Sequence, residues 1–421
     1  MQSSIKLRLT VMNFLQFAVW GAYLTSMGRY LGTAGFGSEI GNFYAMQGLV
    51  SLFMPALMGI VADRWIPAQR LLGGCHMLAG MLMLGVFLYT QTDAPSYPSL
   101  FALYSLSVAF YMPTLALSNS VAYTSLDQAG LDLVKSFPPI RVFGTVGFIC
   151  TMIAVSLLGL EATSGQFAVS AIISLVLAVY AQTLPNCPTA PKGQSKSLVE
   201  ALGLRAFVLF KQRKMALFFI FSMLLGVSLQ ITNGFANPFI STFGEIPAYA
   251  DTFGVKYANI LISLSQLSET LCILLIPFAL RRFGIRRVML IAMVAWVLRF
   301  ALLGLGNPGS GVWLFLLSMI VYGVAFDFFN VSGSLFVDKE TDPSIRSSAQ
   351  GLFMIMTNGI GATLGSLGAQ AVINHFVYSE HDTTAILAGW SMSWYIFATY
   401  AAVVAVLFAL LFRYNTATEA K

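Results

Sequence analysis

The chain has 421 residues, of which 57 % are hydrophobic and only 10 % charged, with 34 Phe, 19 Met and 36 Gly. No water-soluble fold of this length could hide so much apolar surface, so the composition excludes a soluble globular protein and points to a polytopic helical membrane protein. The net charge of +6 and the pI near 9.1 would suggest a nucleic-acid partner in a soluble chain; here they are assigned to loops between spans, and no nucleic acid is expected.

A membrane-crossing helix needs about 20 predominantly apolar residues. The hydrophobic pattern predicts twelve, near 7–31, 39–62, 69–91, 97–120, 139–160, 165–184, 214–242, 255–280, 286–305, 311–337, 346–374 and 386–413. The first run follows only Lys6 and Arg8 and lacks a small-residue cleavage site, so it is read as a retained span rather than a signal peptide. Twelve spans put both termini on one side. The loops on that side hold 19 of the 23 Lys and Arg, whereas opposite loops such as DAPSYPS and NPGSG hold almost none. Cytoplasmic termini are the expectation. Arg29, Arg141, Lys256 and Arg299 are left over by this rule.

Leu184–Arg213 separates spans six and seven. Its first part is rich in Pro, Ser and Lys and reads as a linker. Its second part, Leu198–Phe210, is apolar and basic and is expected to lie on the cytoplasmic membrane surface. The chain thus divides into a six-helix bundle at 1–184, a linker at 185–213 and a second bundle at 214–421. Echoes between the halves suggest duplication. Pro138-Pro139-Ile140-Arg141 opens span five, and Pro343-Ser344-Ile345-Arg346 opens span eleven; basic clusters follow spans two and eight. Two six-span halves around a midplane site form a transporter architecture.

Polar residues inside the spans are the candidates for that site. In span one, Gln16, Trp20 and Tyr23 are spaced to share a helix face, and Asn13 lies nearby. They would either line a cavity or serve helix packing. In span five, Arg141, Thr145 and Phe148 are spaced i, i+4, i+7, a guanidinium, a hydroxyl and a ring suited to a polar ring-shaped molecule. The alternative is an arginine that snorkels to the cytoplasm. Span seven carries Gln230 and Asn233, and span eight carries Gln266 and Glu269, each pair spaced i, i+3. Amides both donate and accept, which suits ribose hydroxyls or a base edge; interhelical bonding is the competing use. Gly226, Gly234 and Pro238 would let span seven bend.

Asp327 lies near the middle of span ten among Tyr322, Phe326, Phe328 and Phe329. A central Asp costs roughly 2.5–3.5 kcal/mol on an insertion scale, so it reads as functional, most simply as a proton carrier. Arg299 in span nine is its expected ion-pair partner, and Glu269 is the competing proton carrier. Cys75, Cys150, Cys187 and Cys272 show neither metal spacing nor a disulfide framework, and His76, His375 and His381 have no metal-ligand company. No cofactor, no metal and no enzyme chemistry are expected, since no P-loop or nucleophile–base constellation is present.

The stretch Gly59-x-x-x-Asp63-Arg64-x-x-x-x-x-Arg70 resembles the loop between spans two and three of the major facilitator superfamily, with Trp65 and Ile66 standing where that motif usually has glycine. Longer stretches resemble its nucleoside:proton symporter branch: FLQFAVWG (14–21), FMPALMGIVADRW (53–65), FPPIRVFGTVGF (137–148), LQITN (229–233), SQLSETL (265–271), AWVLRFAL (295–302) and AFDFFN (325–330). The likeness runs over nearly the whole chain. It implies an all-α membrane protein of the superfamily fold. It also implies a nucleoside pocket on Arg141, Thr145, Phe148, Gln230, Asn233, Gln266, Glu269, Tyr322, Phe326 and Asp327. Proton coupling falls on Asp327, Glu269 and Arg299, and a conformational latch on Asp63, Arg64 and Arg70. The lactose-type symporters share an Arg opening span five, a Glu in span eight and an Arg in span nine. The expected protein is a monomeric, proton-coupled nucleoside importer of a bacterial inner membrane, with nucleoside, protons and the lipid bilayer as partners. Gly234, Pro238 and the outward loop Glu245–Lys256 depart from the branch. A transporter of another glycoside or sugar, a drug or sugar exporter, and a non-transporting receptor or scaffold remain open alternatives.

Overall fold

The computed structural model describes residues 2–189, 204–343 and 345–414, and these contain helices and no β-strand. Ten helices among them are long and apolar enough to cross a membrane. One of these, Ala258–Leu305, holds two spans, because Gly284 at φ 75° interrupts it. A side chain at that φ would be strained, so glycine divides spans eight and nine. Span one is a pair of helices, Gln2–Gly21 and Met27–Thr33. The result is the twelve-span major facilitator fold, and each expected span is present. The linker residues 190–203, which include the start of the expected surface segment, lie outside the described residues. Beyond them Leu204–Lys211 is a short 3-10 helix.

The chain forms two compact units, Met1–Phe36 with Met46–Leu202 and Gly37–Ala45 with Gly203–Lys421. In the first, span three (Ala68–Tyr89) packs on span four (Tyr97–Gln128) and span six (Gly165–Tyr180), and span one packs on span five (Leu133–Leu157). The last contact is backbone against backbone. A Cβ on Gly21 would lie 2.8 Å from Phe148 Cα, and one on Gly147 would lie 2.8 Å from the Phe14 carbonyl carbon. Pro138 and Pro139 do not open span five as the sequence suggested; its helix begins at Leu133 and contains both.

The second unit repeats the scheme. Span seven (Arg213–Leu229 and Ile231–Thr242) packs on span eleven (Arg346–Ile373), and span nine meets span ten (Val312–Glu340) and span twelve (Thr383–Leu411). Glycines again permit the approach. A Cβ on Gly226 would lie 2.8 Å from Thr357 Cα, and one on Gly365 would lie 2.7 Å from Val227 Cα. Gly361 and Gly365 form the small-xxx-small spacing that brings membrane helices together where no hydrophobic force drives them.

The breaks are satisfied locally. Span one unwinds after Gly21, and Ser170 Oγ donates to the Val19 carbonyl at 2.8 Å. Ser26 Oγ donates to Gln166 Oε1 at 2.9 Å, and Arg29 pairs with Glu161 at 3.3 Å. Arg29 therefore anchors the broken end of span one rather than obeying the loop-charge rule. Lys256, also left over by that rule, pairs with Asp251 at 2.9 Å on the surface. Its bond to that carboxylate raises the ammonium above its ordinary value and holds Asp251 below its own. Arg286 donates to the Phe412 and Ala409 carbonyls, both at 2.7 Å, which caps span twelve.

Gly365→Val should destabilise the purified protein by about 1–3 kcal/mol, the usual cost of overpacking, read as a lower unfolding temperature in detergent. Gly368→Val, where an added Cβ meets nothing within 4 Å, should leave it unchanged; equal effects would mean that the backbone approach does not matter.

Candidate functional site

In the second unit, the site is built around Tyr322. Span ten lies close against span eight because residue 323 is glycine: a Cβ there would be 2.6 Å from the Ser268 carbonyl carbon and 2.7 Å from Cys272 Sγ. The Ser268 hydroxyl also donates to the Ile320 carbonyl. This contact brings residues of spans eight, nine and ten to one ring. Tyr322 stacks on Phe326, with centroids 5.6 Å apart and planes 14° from parallel. Trp296 presents an edge to it at 5.9 Å. The Arg299 guanidinium lies over its face, 4.4 Å from the centroid. Gln266 lies beside its hydroxyl, and Glu269 and Asp327 are its electrostatic neighbours and each other's.

Gln266, Glu269, Tyr322, Phe326 and Asp327, nominated separately from two helices, are therefore brought together. Asp327 is 5 % exposed, and its Oδ2 has no protein hydrogen-bond partner. A desolvated carboxylate without donors is costly, and a proton removes its charge. Asp327 and Glu269 are thus two acids in one environment, an arrangement able to hold and release a proton.

The expected Arg299–Asp327 ion pair does not form. Arg299 Nη1 donates to the Ser318 carbonyl at 2.8 Å and faces Ser265 Oγ at 3.4 Å. Ser318 Oγ returns a bond to the Arg299 carbonyl at 2.9 Å. Both residues were placed inside spans from sequence alone, but hydropathy does not reveal how far each helix is rotated. The guanidinium turns to a carbonyl, a hydroxyl and a ring face.

Span seven breaks at Gln230, which stands between its two helices. Asn233 Nδ2 donates to Gln230 Oε1 at 2.7 Å, so the i, i+3 amide pair is bonded to itself. That bond uses one donor and one acceptor; the remaining Gln230 NH2 and Asn233 carbonyl retain their capacity. Gly234 and Pro238 lie in the helix that follows the break.

In the first unit, Arg141, Thr145 and Phe148 share one helix. The Arg141 guanidinium sits 4.0 Å over the Phe17 ring, and its charge acts on Tyr111. Arg141 is half-buried, so it is held against span one by a ring. Trp20 meets Phe148 edge-on at 6.3 Å and Tyr111 at 6.1 Å. The expected face of Gln16, Trp20 and Tyr23 does not hold, because the helix ends at Gly21. Tyr23 instead packs inside the unit against Tyr104 and Phe167. Asn13 is buried and donates to the Leu9 carbonyl at 3.1 Å.

Sequence reading took His76 only as a histidine without metal-ligand company. It is fully buried, with Nε2 2.8 Å from Gln16 Oε1 and Nδ1 2.9 Å from Ser174 Oγ. The Gln16 oxygen can only accept, so Nε2 carries the hydrogen. Gln16 Nε2 donates to Thr114 Oγ1 at 2.7 Å, and the Tyr111 hydroxyl donates to the Gln16 carbonyl at 2.9 Å. His76 thus fixes the helix that carries Trp20. A histidine among apolar neighbours was the available signal, but its partners lie 60 and 98 residues away. Asp63 and Arg64 end the helix Met54–Arg64, and Arg70 lies in the first turn of span three, exposed like Arg64.

This fold, with ionisable groups gathered inside its spans, defines a secondary transporter of the major facilitator superfamily. Residues 3–417 match the family model described as "Nucleoside H+ symporter", and the chain belongs to that family: it is a proton-coupled nucleoside importer. It is similar to the xanthosine permease of Escherichia coli (strain K12), 49 % identical over 415 residues that cover 98 % of this chain and 97 % of that protein. It is 46 % identical to nucleoside permease NupG of the same strain, with the same coverage. The crystal structure of nucleoside transporter NupG superposes with a TM-score of 0.89, covering 98 % of this chain and all of that one. A mutant POT peptide transporter, 12 % identical with a TM-score of 0.69 over 96 % of this chain and 94 % of that one, shares the fold alone.

Gly323→Val should push span ten off span eight and weaken nucleoside binding about tenfold, the equivalent of ~1.4 kcal/mol. Binding to purified protein measures it; unchanged affinity would mean that this close contact does not shape the site.

Proposed function

We propose that the second unit's cluster binds the nucleoside and couples its entry to a proton. Tyr322 and Phe326 offer a stacked aromatic platform for the base. Gln266 and Glu269, with the Gln230–Asn233 pair, bond the ribose hydroxyls. Asp327 gains a proton from outside and loses it to the cytoplasm, with Glu269 as its partner acid. The observation that carries this reading is the convergence on one ring of two acids and an amide from different spans. A scaffold has no use for groups so costly in hydrocarbon.

The protein acts as a monomer, since one chain carries both six-span halves, and it resides in a bacterial inner membrane with cytoplasmic termini. The concentration of Lys and Arg in alternate loops supports that orientation. Asp63, Arg64 and Arg70 bias the equilibrium between inward- and outward-open states. One charge crossing the membrane is worth about 2.3 kcal/mol per 100 mV, so one proton can drive roughly 50-fold accumulation.

The test is uptake of radiolabelled uridine, adenosine and xanthosine into proteoliposomes with and without an inward proton gradient. The wild type should accumulate at least one of them, and a protonophore should abolish the accumulation. Asp327→Asn should lose accumulation yet still equilibrate or exchange nucleoside; full gradient-driven accumulation by that variant would remove Asp327 from the coupling step.

A further inference from the structure

Arg299 is the most costly side chain in the second unit that the coupling scheme does not use. It is 2 % exposed within a span. It makes no ion pair with Asp327, and its Nε has no hydrogen-bond partner. Its hydrogen bonds to the protein end on neutral groups, the Ser318 carbonyl, Ser265 Oγ and, at 3.9 Å, Met319 Sδ. Its remaining close partner is the Tyr322 ring, 4.4 Å away. A guanidinium over an aromatic face is attracted by the ring's quadrupole, the more so when both are desolvated. The ring's other neighbours complete a mould: Trp296 holds an edge at 5.9 Å and Phe326 stacks at 5.6 Å. The cation, the tyrosine and the phenylalanine are thus successive members of one stack.

We propose that Arg299 is a positioning residue: it holds Tyr322 and, through it, Phe326 in the stacked geometry that receives the nucleoside base, and it takes no part in proton transfer. The planar fork suits this task. It reaches a carbonyl on span ten while its central carbon stands over a ring of the same span, so one side chain ties span nine to both the backbone and the platform. Trp296, one turn earlier on span nine, closes the edge. The inference rests on the reading of Tyr322 and Phe326 as the base platform.

The experiment compares wild type, Arg299→Met, Arg299→Lys, Phe326→Leu and the Arg299→Met/Phe326→Leu double variant in proteoliposomes, with uridine counterflow for KM and gradient-driven uptake for coupling. Arg299→Met should raise the counterflow KM about tenfold and keep its accumulation ratio at saturating uridine. Arg299→Lys should recover only part of the loss, because an ammonium still faces the ring but lacks the planar fork. The double variant should lose less than the sum of the single losses, as expected for groups in one stack. An unchanged KM in Arg299→Met, additive losses, or accumulation lost with KM intact would each overturn the proposal, the last by returning Arg299 to the coupling step. Thermal unfolding of Arg299→Met, Tyr322→Leu and their double variant, without nucleoside, tests the positioning contact separately: coupled effects support it and additive ones refute it. Where the wild type shows no uridine counterflow, the same variants are compared with adenosine or xanthosine; absent counterflow of all three would count against the platform reading alone, and the unfolding cycle would then decide the contact.

Discussion

The hydrocarbon interior of a membrane supplies no water to a buried polar group, and the interior of this protein is organised by that constraint. In the second unit it acts on charge. Asp327, Glu269 and Arg299 come from three spans, and Tyr322 lies among them. Arg299 does not pair with Asp327. Had Arg299 paired with Asp327, the carboxylate would be stabilised as an anion and its proton would have less to do. Turning the guanidinium to a carbonyl and a ring leaves Asp327 dependent on its other acid neighbour and on protonation. The absence of the ion pair therefore leaves a buried carboxyl without a counter-ion from Arg299.

The first unit meets the same constraint with neutral groups. Span one breaks after Gly21, which frees backbone carbonyls inside the bundle. Ser170 satisfies the one on Val19, the Tyr111 hydroxyl adds a bond to the Gln16 carbonyl within the helix, and Gln16, His76, Thr114 and Ser174 form a continuous buried network beside them. Each member donates or accepts in a direction set by the next. Such a network is costly if half-made and rigid when complete. Its consequence for function is placement: Trp20 is held between Tyr111 and Phe148, one turn beyond Gln16.

Close backbone approach at glycines joins these local features to the fold. Spans one and five touch at Gly21 and Gly147, and spans seven and eleven at Gly226, Gly361 and Gly365. These are corresponding pairs in the two halves, as are spans three and nine, each of which packs on the fourth and sixth spans of its half. The duplication suggested by short sequence echoes is thus clearer in the packing than in the residues. The echoes themselves have diverged. Arg346 opens the span-eleven helix and lies 3.1 Å from Asp338, whereas Arg141 sits over a ring two turns into its helix.

The sequence by itself determined the class of protein, the number of spans and the residues that could form a site. Those follow from composition, from the length needed to cross a bilayer and from the rarity of polar groups inside it, all of which are local. It also marked Arg141, Gln230, Glu269, Arg299 and Asp327 as costly. Tertiary structure decided what each of them touches. The i, i+7 face of Gln16, Trp20 and Tyr23 was lost because a break after Gly21 changes the helical phase. The ion pair was lost because the packed helices turn the Arg299 guanidinium to the Ser318 carbonyl, Ser265 and the Tyr322 ring. His76 entered the account because its partners come from spans far away in the chain. Helical periodicity reports a face within one span, while pairing between spans depends on rotation and depth, which only the packed bundle supplies.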